Sequence, residues 1–261
     1  MLFETVYGPE LERTYRLIQR LTRQNKACTQ AEVYSRVVPN GQNGITKNAH
    51  DAITFLLSAK LLKNTNGTLT AVDTPLFRPG LFGSLRRVQA DDESHPLDRH
   101  FMGLIEELFI APDRVFRVAL HAAVNRRTEI SISQEKVNAW MRVLEHLGLG
   151  RRAVGGFQCV YAPGLLREIL SLHPSGTYEL DTFLSKALAP YLPVHARHGD
   201  LATGVRVPLQ SLVDAGDIKF LRYQDSPARR YIAGYTHVRF KRRARGPVPS
   251  VAPVYRDGNG L

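Results

Sequence analysis

A chain of 261 residues that is 43% hydrophobic and 8% aromatic can bury real cores in two or three domains. Its formal net charge of +11 favours an acidic partner such as nucleic acid or an anionic surface. Two cysteines, Cys28 and Cys159, exclude a disulfide framework or a structural zinc site, and no apolar run approaches the roughly 18–20 residues that span a bilayer. A reduced, cytoplasmic setting with no membrane contact and no cofactor is the resulting expectation. The start, MLFETVYGPELERTY, has no signal-peptide pattern.

In chain order, Pro9 opens a helix with Leu11, Tyr15, Ile18 and Leu21 on one face. TQAE is a capping box in which Thr29 accepts from the amide of Glu32, and the short helix it starts is broken by Pro39-Asn40-Gly41. Thr46 is the expected cap of the next helix, where Ala49, Ala52, Ile53, Leu56 and Leu57 form the stripe. Two alternating runs, Leu61–Lys63 and Thr68–Thr70, then flank Asn-Thr-Asn-Gly, with Gly67 suited to positive φ. Three helices followed by a two-stranded hairpin resembles a winged-helix domain over about residues 9–73.

The same ending recurs twice. The stripe Val137, Trp140, Met141, Leu144 and Leu147 stops at Gly148, and a hairpin turns at Gly155-Gly156. Later, Pro208 suits a first helical turn, Gly216 ends that helix, and β-rich runs flank Asp225-Ser226-Pro227. The resemblance therefore implies an α+β, mostly helical chain of two or three tandem winged-helix-like units. They would occupy 1–75, 76–163 with a linker, and 164–243, with a basic, extended or disordered tail at 244–261. The second unit would take front helices from Asp98–Ile110 and Asp113–Val124 and a small strand at Thr128–Ile132. The third would use Leu165–Leu172, a strand at Thr177–Leu180 and a helix at Asp181–Leu192. Residues 74–80 read as a linker and 90–96 as a solvated acidic loop.

Candidate chemistry is sparse. His195, His198 and Asp200 have chelating spacing but no third strong ligand, and their segment looks like an exposed loop. No Gly-x-Ser-x-Gly is present, neither cysteine has a flanking histidine, and Gly148-Leu149-Gly150 follows a helix rather than a strand. No catalytic residue is assigned, and the expectation is a non-enzymatic protein.

The basic groups carry more. The resemblance implies that the third helix of each unit enters a groove while the hairpin wing reaches phosphates. In the first unit Lys47 and Asn48 are the candidates, with Asp51 beside them making an ordinary solvated face an equal alternative. The second offers Lys136, Asn138 and Arg142 on the helix and Arg151 and Arg152 in the wing. The third offers Arg206, then Arg229 and Arg230 in the wing. Paired wing arginines suit phosphate contact, or alternatively guard a sheet edge. Residues 239–261 hold 6 Lys+Arg against 1 Asp+Glu, mostly in the run containing Arg239, Lys241, Arg242 and Arg243. Duplex DNA is the first partner expected, for a transcriptional regulator or the DNA-recognition subunit of a complex. The alternative is an adaptor binding proteins through apolar surface near Leu76, Phe77, Leu81 and Phe82.

Overall fold

Pro9 brings the fixed φ of a first helical turn and Glu10 sets a negative charge at the positive end of the helix, so α1 runs Gly8–Arg23. Leu11, Tyr15, Ile18 and Leu21 return at helical spacing and are buried. Thr29 Oγ1 accepts from the Glu32 amide at 3.2 Å and starts α2, Gln30–Val37. The reciprocal arm of the capping box is absent: the Glu32 carboxylate instead pairs with Arg36 at 2.7 Å. Thr46 falls inside α3, Asn43–Ser58, rather than at its cap. Strands β1 (Leu62–Thr65) and β2 (Thr68–Ala71) close the expected hairpin, with Asn66 at φ 53° and Gly67 at φ 82°.

In this computed structural model the described residues are 1–3, 6–26, 28–37, 43–128, 130–229, 231 and 234–240. The Pro39-Asn40-Gly41 break and the tail expected at 244–261 lie outside them. The fold is mixed α+β, about half helical, with small antiparallel sheets.

After β2 come α4 (Phe77–Ala90), α5 (Pro96–Ile105) with a π-helical turn over Glu106–Ile110, and β3 (Phe116–Val118). Then follow α6 (Leu120–Asn125), α7 (Gln134–Leu147), β4 (Arg151–Ala153) and β5 (Gly156–Gln158). The last third holds α8 (Pro163–Leu170), β6 (Gly176–Glu179), α9 (Leu180–Phe183) with a π-helical turn over Leu184–Leu188, α10 (Thr203–Asp214), β7 (Ile218–Leu221) and β8 (His237–Phe240).

Three stretches of chain trace one path. A first helix leads to a strand, two more helices and a hairpin, and the first strand pairs with the last, giving the order first–third–second. In the middle stretch this is β3-β5-β4 and in the C-terminal stretch β6-β8-β7. In the N-terminal stretch the first strand shrinks to a bridge between Thr29 and Thr68 of β2, beside a 2.7 Å bond from the Leu69 amide to the Cys28 carbonyl.

Several expected boundaries move. The middle stretch takes its first strand from Phe116–Val118, not Thr128–Ile132. Asp113 (φ 50°) and Ala119 (φ 47°) adopt left-handed backbone that interrupts the helix expected over Asp113–Val124, freeing the alternating Val-Phe-Arg-Val run to pair. Ile132 is instead tied back to α6: Asn125 takes its amide at 2.7 Å and gives to its carbonyl at 3.0 Å. The helix expected over Asp181–Leu192 is α9 plus its π-helical turn, ending at Leu188.

The linker assigned to 74–80 is largely helix. Phe77, Leu81, Leu85 and Val88 recur at helical spacing and bury in α4, so Phe77, Leu81 and Phe82 are core rather than adaptor surface. Buried apolar side chains from all three stretches join in one contiguous core. Its aromatic centre is shared: Phe101 of α5 lies 5.5 Å from Phe3, 5.7 Å from Phe55 of α3 and 6.4 Å from Trp140 of α7.

Pro208 corrects the reading of α10. It sits inside that helix, not in its first turn. A proline there gives the Gly204 carbonyl no i+4 amide. The Tyr161 amide takes that carbonyl instead at 3.0 Å. Gly204 allows the approach, since a Cβ on it would stand 2.5 Å from the Cys159 carbonyl oxygen. The C-terminal third helix is thus keyed to the chain leaving β5.

Candidate nucleic-acid interface

The third helix of each path carries the groove-reading candidates. On α3, Lys47 is exposed and Asn48 half-buried, while His50 Nδ1 is engaged with the Tyr34 hydroxyl at 2.9 Å. On α7, Lys136 and Asn138 are half-buried, and Asn138 Oδ1 accepts from Gln134 at 3.0 Å. Arg142 is exposed. The far end of α7 is covered by α1: a Cβ on Gly8 would fall 2.1 Å from the His146 ring.

Helix α10 has an open face. Gly204, Val205, Pro208, Leu209 and Leu212 face inward, leaving Arg206, Val207 and Gln210 on one solvent-facing stripe. Its N-terminus is capped from the middle stretch. Asp113 Oδ1 accepts from the Thr203 amide at 2.6 Å and Oδ2 from the Thr203 hydroxyl at 3.2 Å. Arg206 Nη2 reaches that same hydroxyl at 3.5 Å.

The arginines expected in the wings are not equivalent. Arg151 lies on the outer face of β4, in register with Gln158 and Phe116, and donates to the Gln158 side chain. Arg152 is spent on Glu145: its backbone amide and its Nε reach the two carboxylate oxygens at 3.0 and 2.6 Å. Burial works against that carboxylate, yet the Arg152 hydrogen bonds hold it below its ordinary value. Arg229 belongs to no strand. It lies in the long segment between β7 and β8, gives 2.7 Å to the Gly199 carbonyl and sits 5.0 Å over the Tyr231 ring. Arg151 and Arg229 therefore do not occupy corresponding places. Lys219 of β7 and Arg239 of β8, in register with Thr177, form the basic row of the C-terminal sheet. Arg239 is thus a strand residue. Arg230, Lys241, Arg242 and Arg243 lie outside the described residues.

Sequence reasoning missed a cluster of four arginines. Arg114 precedes β3 and Arg117 lies within it, while Arg126 and Arg127 follow α6. Arg117 is half-buried and gives its Nε–H to the Leu108 carbonyl at 2.6 Å. Burial, and then the like charges of Arg114, Arg127 and Arg126, push its guanidinium below the ordinary value. The signal that could have found it is the Val-Phe-Arg-Val alternation after Pro112-Asp113, hidden once that stretch is read as helix.

The HARHGD loop is exposed at Arg197 and His198, half-buried at His195 and anchored by Ala196. Val194, Ala196 and Leu201 are buried, and the Arg197 amide bonds the Ala111 carbonyl at 2.7 Å. Among the described residues no group of three His, Cys, Asp or Glu is placed to hold a metal, and no helix is long and apolar enough to cross a membrane.

Two half-buried histidines carry a pH dependence. Burial lowers the pKa of His146, with Glu12 opposing and Arg78 assisting. Burial and then Arg229 lower that of His195, against Asp181 and Asp200. A depressed histidine binds fewer protons folded than unfolded. Its contribution to stability is fully present above the ordinary value of 6.5 and is lost as pH falls through the lower folded value. The urea midpoint is expected to drop on acidification below about pH 6.5, and the drop should shrink in His146→Gln/His195→Gln. An unchanged midpoint between about pH 7.5 and 5 would contradict the burial of both rings.

No protein family, curated protein or solved structure matches the chain.

Proposed function

We propose that the chain binds double-stranded DNA through tandem winged-helix units, as a transcriptional regulator or as the DNA-recognition subunit of a larger complex. The supporting observation is the path repeated three times, in which a third helix with a solvent face precedes a hairpin whose last strand lies between its two neighbours. The C-terminal unit is the best reader, because Arg206, Val207 and Gln210 project from α10 and the sheet that follows carries the basic row of Lys219 and Arg239. An arginine in the major groove recognises guanine O6 and N7, and a glutamine recognises adenine N6 and N7.

The test is a mobility shift with duplex DNA across a salt series. Affinity should fall steeply with salt, and Arg206→Ala is expected to weaken binding by about 1–3 kcal/mol. Absence of binding even at low salt would sink the proposal, since a chain of net charge +11 must at least associate weakly.

One observation favours the adaptor reading. Phe116 (42% exposed), Val118 (64%) and Val154 (101%) are open at the outer face and tip of the middle sheet. Arg151 shares that face with Phe116 in register, so a protein partner there would be an acidic segment with apolar side chains. The adaptor reading expects only weak duplex association that Arg206→Ala leaves unchanged.

A further inference from the structure

We propose that Arg114, Arg117, Arg126 and Arg127 form a phosphate seat on the middle stretch, which holds the backbone of the duplex whose groove α10 enters. This rests on the duplex-binding reading above.

Four features place the seat. The cluster is local in the chain, since Arg114 precedes β3, Arg117 lies in it, and Arg126 and Arg127 follow the short helix α6. That turn is held by Asn125 on Ile132 and by a 2.7 Å bond from the Thr128 hydroxyl to the Ile130 carbonyl. Arg114, Arg126 and Arg127 are exposed, and none forms an ion pair among the described residues. Like charges gathered together repel one another, so an anionic partner is the natural complement. Finally, the cluster adjoins the reading helix. Asp113, next to Arg114, caps α10 at Thr203, and Arg206 bonds that threonine.

The fold does not require these arginines. The corresponding strand of the C-terminal stretch, Gly176-Thr177-Tyr178-Glu179, makes the same sheet with none. Cations at a helix C-terminus answer the helix dipole, which accounts for Arg126 and Arg127 but not for Arg114.

The test uses the full chain. Arg114→Gln/Arg126→Gln/Arg127→Gln leaves Arg117 in place, because its Nε–H holds the Leu108 carbonyl. Arg13→Gln/Arg20→Gln/Lys26→Gln removes three exposed charges elsewhere as the control. Circular dichroism and thermal melts establish that each variant is folded. The cluster variant is expected to flatten the slope of log K against log salt by about 2–3 and to weaken duplex binding about ten- to a hundredfold near 0.15 M salt. The control should change affinity by less than about threefold. Equal losses in both variants would show that only total charge matters and overturn the seat. A cluster variant as tight as the wild type overturns the seat alone, whereas a wild type that binds no duplex overturns the duplex reading and the seat with it.

Discussion

Trp140→Ala is expected to cost about 3–5 kcal/mol of folding stability, a large share of the roughly 5–15 kcal/mol typical of native proteins. The indole is fully buried where three segments meet. Its ring lies 6.2 Å from Phe3 and 6.4 Å from Phe101, and Nε1–H donates 3.1 Å to the Phe101 carbonyl. Truncation opens a cavity and also deprives a buried carbonyl of its donor. Trp140→Phe keeps an aromatic ring and opens a much smaller cavity while losing the hydrogen bond, worth about 1–3 kcal/mol.

The site of the loss matters as much as its size. Phe101 also contacts Phe55 of α3, so the cluster joins the N-terminal stretch to the middle one. One cooperative transition should therefore move to lower urea as a whole. The chain has a single tryptophan, so the measurement is circular dichroism rather than intrinsic indole fluorescence. Two separated transitions would mean that the stretches unfold independently and that the shared core is not cooperative.

Local grammar was legible in the sequence where one residue type had one physical use. Gly148 (φ 82°), Gly155 (φ 74°) and Gly216 (φ 72°) stand where helix stops and turns need left-handed backbone. Stripes such as Val137, Trp140, Leu144 and Leu147 gave the helices directly. Long-range partners stayed hidden. Nothing local to Arg152 says that Glu145 will take it, or that Asp113 will cap a helix ninety residues on. Pro208 reads as a helix start because its usual penalty is large, and only the tertiary bond from Tyr161 shows how the freed Gly204 carbonyl is satisfied. Arg114 and Arg117 were lost for another reason: once Asp113–Val124 is taken as helix, they scatter around it instead of marking the start and middle of a strand segment. The left-handed residues that break this helix are Asp113 and Ala119, and alanine gives no sequence warning of that conformation.

Adjacent glycines in the middle hairpin offer a test of that corrected strand. Gly155→Ala is expected to cost about 1 kcal/mol, for its positive φ alone, since an added Cβ there meets nothing within 4 Å. Gly156→Ala is expected to cost about 3 kcal/mol, because the Cβ would stand 2.0 Å from the Arg117 carbonyl oxygen, which is backbone and has no rotamer to yield. The sheet must open between β5 and β3, and β3 carries Arg117 and Phe116 with it. Gly156→Ala should then weaken duplex binding without changing any charge, whereas Gly155→Ala should leave it near wild type. Both stabilities are read from urea midpoints and both affinities from the same mobility shift. If Gly156→Ala is no more damaging than Gly155→Ala, β3 does not lie against β5 in this register. The arginine seat would then lose the strand that positions half of it, whatever the charge variants report.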